Sequence, residues 1–373
     1  MPDPSDPVLF VVGARPNFVK VAPVLAALRD GEGVPVELLH TGQHYDRSLS
    51  DAFMEILDLP EPRVALGVGS GSHAEVTAAV MVGVERELLE RPYSAIVVPG
   101  DVNSTLGAAL AAVKLGVPIV HLESGLRSGD WTMPEEINRV VVDRIADLLL
   151  VHSEHAIGDL AAEGIAEDRV VNVGNTMIDS LFRLLPAARA GGTLDRLGLA
   201  GTNFALVTLH RPALVDDPAA LIDVLRVLER EAERRPVVFP VHPRTRARLA
   251  AAGFEPARIR LVEPLDYLSF IALEEAAALV ITDSGGVQEE TSALGTPCMT
   301  YRTSTERPVT ITHGTNVLVG VDSQRLAALL EAGEVPAVPQ TPIPLWDGAA
   351  GPRAAAAIAR SRATADRRAA PVG

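Results

Sequence analysis

The chain has 373 residues, with 33 Lys and Arg against 48 Asp and Glu, which gives a formal net charge of −15. Proteins that track phosphate backbones carry an excess of cations, so this balance excludes a general nucleic-acid binder, and any anionic ligand must be held by a local cluster. With 47% hydrophobic and 22% charged residues, disorder is excluded as well, and the length suits two domains with sizeable cores.

A single cysteine, Cys298, rules out an intramolecular disulfide framework and a cysteine-based zinc site. The first residues, MPDPSDP, are acidic and proline-rich, the wrong start for a secretory signal. No window approaches the ~18 uninterrupted apolar residues of a membrane span. The expectation is a soluble cytoplasmic protein without a membrane partner.

In chain order, short apolar runs alternate with longer amphipathic or Ala-rich stretches, the pattern of β and α units around a parallel sheet. Predicted strands are Val8–Val12, Val36–His40, Ala95–Val98, Ile119–His121, Leu148–Val151 and Val170–Val173. A second series follows: Ala205–Thr208, Val237–Pro240, Arg260–Val262, Leu279–Ile281 and Pro297–Met299. Helices are predicted at Thr105–Lys114, Asn138–Asp147, Asp217–Arg234 and Gly286–Leu294. The stretch Ala187–Gly201 has no strong strand signal and precedes a fresh βα series, so the domain boundary and hinge are expected near residues 175–200. The proline-rich Glu334–Pro344 reads as a connecting loop, and the Ala/Arg-rich Ala349–Ala365 as a helix that needs a surface to pack on.

Open α/β sheets bind ligands outside the carboxyl ends of their strands, which confines the search for chemistry to strand-to-helix junctions. The first junction, Gly13-Ala14-Arg15-Pro16-Asn17, offers a close backbone approach with Arg15 and Lys20 near a helix start. In the second, Pro99-Gly100-Asp101, the carboxylate is either a helix cap or a reacting group. Glu123 lies in a third junction, and Glu135 and Glu136 open a following helix, where acidic residues also suit the dipole. Each carboxylate alone has a structural explanation. Their convergence on one rim points to general acid–base chemistry.

In the second half, Ser284-Gly285-Gly286 after a strand leaves free N–H groups at a helix start, a seat for a phosphate or diphosphate. Glu289 and Glu290 stand about one turn further on, placed to accept from sugar or ribose hydroxyls. His210, Arg211, His242, Arg244, Arg302 and Arg307 lie at comparable strand ends, where His supplies an acid–base group and Arg holds phosphate. His152 and His155 have no third metal ligand nearby in sequence and read as capping or surface residues.

Taken together, Gly13-Ala14-Arg15-Pro16, Thr41-Gly42-Gln43-His44, Pro99-Gly100-Asp101, His121-Leu122-Glu123-Ser124-Gly125-Leu126-Arg127, Pro134-Glu135-Glu136-Ile137-Asn138-Arg139, Thr208-Leu209-His210-Arg211, Thr282-Asp283-Ser284-Gly285-Gly286-Val287-Gln288-Glu289-Glu290 and Thr305-Glu306-Arg307-Pro308 resemble the non-hydrolysing UDP-N-acetylglucosamine 2-epimerase family. The match runs in order from about residue 8 to about residue 348. The resemblance implies a glycosyltransferase-B-like fold, two Rossmann-like domains facing a cleft, with a C-terminal helix crossing back to the first domain. Expected boundaries are 1–175, 176–348 and a tail of 349–373. It also implies a homodimer acting on a UDP-sugar, with no redox cofactor and no metal.

The implied reaction removes the proton at sugar carbon 2 while UDP leaves carbon 1, and re-addition to the opposite face inverts carbon 2. Carried over by position, the catalytic carboxylates fall on Asp101, Glu123 and Glu135, with Arg139 and His210 in support. Substrate binding falls on Arg15, Lys20, Gln43, His44, Arg211, His242, Ser284, Gly285, Gly286, Glu290 and Arg307. The proton at carbon 2 has no adjacent carbonyl, so stabilising the departing diphosphate is the main electrostatic task. Where the family pattern carries an Asn after His-Arg, this chain has Leu214, which bears on sugar specificity. A hydrolysing or specialised paralogue, a glycosyltransferase of the same fold, and a silent UDP-sugar sensor are the competing readings.

Overall fold

A computed structural model describes residue 3 and residues 5–42, 53–333 and 342–369. The side chains at 15, 212–213, 243–244 and 363–369 are not among those described. The chain forms two compact units, one of Met1–Ser180 with Pro344–Gly373, the other of Leu181–Ile343. The crossing from the first to the second lies inside one helix, Thr176–Ala190.

The first unit holds a parallel sheet ordered β3-β2-β1-β4-β5-β6-β7. Its strands are β1 (Val8–Val12), β2 (Val36–His40), β3 (Val64–Ala65), β4 (Ala95–Pro99), β5 (Ile119–Ser124), β6 (Leu148–Val151) and β7 (Val170–Asn172). The central strands β1 and β4 are buried at every position, which is why they read as unbroken apolar runs rather than alternating ones. Leu9, Ile96, Val98 and Leu149 pack with Val80 and Val84 of the helix His73–Glu90 and with Ala108 and Ala112 of the helix Asn103–Leu115.

The second unit repeats the plan with β8 (Ala205–Thr208), β9 (Val237–Pro240), β10 (Arg260–Val262), β11 (Leu279–Thr282), β12 (Cys298–Thr300) and β13 (Asn316–Leu318). The order is β10-β9-β8-β11-β12-β13, again parallel. Core packing there runs through Val207, Phe239 and Ile281 on one cluster and Phe204, Leu206 and Val280 on another.

Every strand expected from the sequence is present with ends within one residue of those expected, except β5, which runs three residues past His121 to Ser124 and so includes Glu123. Two short edge strands, β3 and β13, and the long helix His73–Glu90 come in addition. The helix carries its own start signal: Glu75 N–H donates to the Ser72 hydroxyl, and Ser72 N–H donates to the Glu75 carboxylate, a capping box. Proline at the first helical position starts Pro134–Ile145 earlier than the apolar pattern indicates.

The helix Ala350–Ala369 packs against Arg15–Ala26 inside the first unit. Its start is held by Asp179, whose carboxylate accepts from Ala350 N–H at 3.1 Å and Gly351 N–H at 2.6 Å. Upstream, Trp346 Nε1 donates to the His152 carbonyl at 2.9 Å, and the two rings meet edge to face. His152 is therefore a buried residue rather than the surface or capping residue expected, because Trp346 from the far end of the chain covers it. His155 is exposed, 3.7 Å from Asp159.

Gly351 sits so close to the other helix that a Cβ would lie 2.7 Å from the Pro23 backbone. Gly351→Val should lower stability by about 1–3 kcal/mol through overpacking, well above the few tenths that helix propensity returns. Urea unfolding of the variant and the parent measures the difference.

Candidate active site

The junction after β1 is shaped by close approach. A Cβ on Gly13 would lie 2.4 Å from the Ser104 hydroxyl, so the residue must be glycine for the start of Asn103–Leu115 to pack there. Asn17 folds back over the turn, its Oδ1 accepting from Gly13 and Ala14 N–H, both at 3.0 Å. Arg15 opens the following helix. Gln43 and His44 lie outside the described residues, as does the Arg15 side chain.

On the same helix as Arg15, Lys20 pairs with Glu123 of β5, and both side chains are about nine-tenths buried. Glu123 lies at a register shift between β5 and β6 and has a φ of +65°. That is left-handed backbone on a non-glycine residue, which costs roughly 1–2 kcal/mol and is the kind of strain found where a bulge re-aims a functional side chain. Lys20, Glu123, His152 and Asn175 line a small cavity of about 10 Å³, room for one water. Asn175 Nδ2 is buried with no acceptor among the described residues.

The β4 junction brings Asp101 beside the same rim. Gly100, with a φ of +65°, is so close to the Lys20–Glu123 pair that a Cβ would lie 3.2 Å from Glu123 Oε2 and 3.3 Å from Lys20 Nζ. Asp101 is not the helix cap, since that position is held by Val102; the Asp101 carboxylate pairs with Arg139 instead. Arg139 is itself buried and also meets Glu136 at 3.2 Å. Glu136, not Glu135, is the carboxylate wired into the structure, accepting from Ser128 N–H, Ser128 Oγ and Gly129 N–H at 2.9–3.0 Å. Glu135 is half-buried in the first turn. Asn138 fixes the other side of the turn by donating to the Asp101 carbonyl at 2.7 Å.

Behind these groups lies a charged cluster that sequence reasoning missed. His121, fully buried on β5, places Nδ1 2.6 Å from Asp143 Oδ1. Asp143 Oδ2 accepts from Arg127 Nη1 at 2.8 Å and Gly125 N–H at 3.1 Å. Burial pushes the Asp143 carboxyl up, but His121 and Arg127 together hold it below the ordinary carboxylate range. The motif containing His121 was visible in the sequence; its partner twenty-two positions on carries no local signal.

In the second unit, Ser284 caps the helix Gly285–Leu294 after β11. A Cβ on Gly285 would lie 2.6 Å from Arg307 Nη1, so the glycine also makes room for a guanidinium beneath the helix start. Arg307 is buried and paired with Glu306 at 2.6 Å and Glu289 at 3.1 Å. His210, largely exposed, pairs through Nδ1 with Asp283 at 2.9 Å, while Asp283 also accepts from His210 and Arg211 N–H. Burial raises the Asp283 carboxyl, and these bonds hold it below its usual value. Burial, with Arg302 nearby, lowers Arg211. His242 is exposed at the end of β9. Glu290 is buried and accepts from the Tyr267 hydroxyl at 2.6 Å. Burial raises both Glu290 and Glu274, which faces it, so this pair retains protons more readily than ordinary carboxylates.

A model of the UDP-N-acetylglucosamine 2-epimerase family matches residues 26–359. The chain belongs to this family. It is 37% identical over 331 residues to the UDP-N-acetylglucosamine 2-epimerase of Methanocaldococcus jannaschii, covering 86% of this chain and 90% of that one. It is 41% identical over 317 residues to the UDP-2,3-diacetamido-2,3-dideoxy-D-glucuronate 2-epimerase of Pseudomonas aeruginosa, covering 84% and 88%. Among solved structures, the M. jannaschii enzyme in complex with UDP-GlcNAc and UDP matches with a TM-score of 0.84 at 35% identity, over 95% of this chain and 99% of that one. The epimerase of Rickettsia bellii matches at 0.86 and 27% identity, over 98% and 99%.

For this family member, the Asp143 cluster has a definite acid signature. A carboxylate held low in the folded state contributes stability fully above the unfolded range near pH 4, and loses it as pH falls through the folded value. Asp143→Asn should therefore cost about 3–5 kcal/mol at pH 7, by stripping buried cations of their counter-charge, with the difference shrinking below about pH 4. Urea unfolding of both proteins at pH 7 and pH 3 measures it.

Proposed function

We propose that this protein epimerises carbon 2 of UDP-N-acetylglucosamine to give UDP-N-acetylmannosamine. The observation that carries the reading is the pair of carboxylates at neighbouring strand ends, Asp101 and Glu123, each held by a largely buried cation, Arg139 and Lys20. One carboxylate takes the carbon 2 proton as the carbon 1–oxygen bond breaks and its electron pair leaves on UDP. The product of that half-reaction is 2-acetamidoglucal, with a double bond between carbons 1 and 2. UDP then returns to carbon 1 while a second acid delivers a proton to the other face of carbon 2. Glu135 stands as a further candidate for that acid–base set, with His210 as support on the second unit.

The nucleotide end is assigned to the second unit. The N–H groups opening Gly285–Leu294, with Arg211 and the buried Arg307 nearby, suit a diphosphate, and Glu290 suits ribose hydroxyls. Gly13, Arg15 and Lys20 are the corresponding candidates on the first unit, and Gln43, His44 and His242 complete the proposed set. The reading is of a cytoplasmic enzyme that needs no redox cofactor or metal, because both half-reactions move only a proton and a leaving group.

The Pseudomonas aeruginosa relative supports a second substrate, UDP-2,3-diacetamido-2,3-dideoxy-D-glucuronate, since its name describes the same inversion at carbon 2. Incubating the enzyme with each nucleotide sugar in deuterated water, read by proton NMR, separates them. Deuterium should enter carbon 2 of the true substrate and of its epimer together. Turnover without label, or accumulation of free sugar, would discard epimerisation in favour of a transferase or a hydrolase. Glu123→Gln and Asp101→Asn should each lower kcat by on the order of 100- to 10,000-fold.

A homodimer is part of the same proposal. The helix His73–Glu90 exposes Val82 and Leu89, seven residues apart on one stripe, and its neighbour Asn103–Leu115 exposes Val113. Leu89 is 70% exposed, a large apolar side chain that a partner copy would cover. The double substitution Val82→Glu and Leu89→Lys should yield a monomer in sedimentation velocity with its circular dichroism unchanged. A parent protein that already sediments as a monomer would refute the dimer.

A further inference from the structure

The rim formed by β4 and β5 is fixed from behind by one imidazole ring. Gly100 is bound to β5 through its N–H, which donates to the Leu122 carbonyl at 2.9 Å. Its own carbonyl lies 2.8 Å from His121 Nε2. The opposite ring nitrogen is 2.6 Å from Asp143 Oδ1. A peptide carbonyl can only accept, so Nε2 carries a proton. Asp143 already receives Arg127 Nη1 and the Gly125 N–H on its other oxygen, an environment for a carboxylate rather than a carboxylic acid, so Nδ1 must donate as well.

We propose that His121 is a positioning residue whose two ring nitrogens both donate, tying the turn that carries Asp101 to the strand that carries Glu123. The ring reaches Gly100, the residue immediately before Asp101, from a backbone position two residues before Glu123. The two linked segments both contain left-handed backbone, at Gly100, which adopts it freely, and at Glu123, which does so only under strain. The buried positive ring is balanced by Asp143. Arg127 is balanced in turn by Glu163, whose carboxylate takes Nε at 2.6 Å and Nη2 at 2.8 Å. On the other side of Gly100, Lys20 and Glu123 form their own neutral pair. The ring has no exposed surface, so its effect on the reaction passes through the spacing of the two carboxylates.

The proposal rests on the acid–base reading of Asp101 and Glu123, and its test has two arms so that the two can fail separately. Nitrogen NMR of the histidine-labelled protein at neutral pH reads the clamp directly, whether or not the protein turns over any sugar. Both His121 ring nitrogens should carry protons; one bare nitrogen would overturn the proposal. The kinetic arm uses two amides that each keep one half of the clamp. Asn at this position places its NH₂ near the site of Nδ1, whereas Gln reaches the site of Nε2. His121→Asn should lower kcat on the order of 100-fold with KM for the nucleotide sugar within about twofold, as expected for misplaced reacting groups. His121→Gln should recover about tenfold of that loss by restoring a donor to the Gly100 carbonyl. Equal loss in both variants, unchanged kcat in His121→Asn, or a loss confined to KM would each overturn it.

Discussion

A carboxylate packed at the buried end of a sheet protonates unless a counter-charge accompanies it. The first unit meets this condition by pairing. Lys20 pairs with Glu123, Arg139 with Asp101 and Glu136, and Arg127 and His121 with Asp143. The strongly acidic chain thus concentrates part of its cations beside its buried carboxylates. Removal of either partner leaves a buried charge, whereas the intact pair gives geometry more than stability, because desolvation offsets most of the Coulomb gain.

The two sheets were legible because parallel strands buried on both faces are written as apolar runs, and β1, β4, β8 and β11 occupy the centres of their sheets. The edges were harder. β3 and β13 are two and three residues long, too short to show a period, and they exist because a neighbouring strand supplies hydrogen-bond partners. The helix His73–Glu90 could have been found from Ser72 and Glu75, whose spacing is a capping box. The burial of His152 could not, because it depends on Trp346, 194 residues away along the chain.

The site was legible in its residue types and less so in its wiring. Strand-end carboxylates and a Gly-Gly helix start follow from general rules about α/β sheets. Which of two adjacent glutamates is structural does not: Glu136 is committed to the Ser128–Gly129 loop, whereas Glu135 is half-buried in the first turn of its helix. The alternative that Asp101 is a helix cap is settled by backbone geometry, with Val102 at the cap position. Gly285 reads in the sequence as a phosphate-approach glycine, and the structure adds that a side chain there would collide with Arg307. A single glycine can meet both demands, so the motif alone does not separate them.

The left-handed conformation of Glu123 makes sense of the whole arrangement. In a regular strand, positions 121 and 123 point to the same face, because side chains alternate with a period of two. His121 meets Asp143 on the helix Pro134–Ile145, whereas Glu123 meets Lys20 on the helix Arg15–Ala26. A register shift between Leu122 and Ser124 re-aims the second side chain relative to the first. Without that break, the ring and the carboxylate would compete for one helix, and one strand could not place His121 against the Gly100 turn and Glu123 against Lys20. The strain at one residue is thus the condition under which β5 meets its neighbour's turn with one side chain and Lys20 with another.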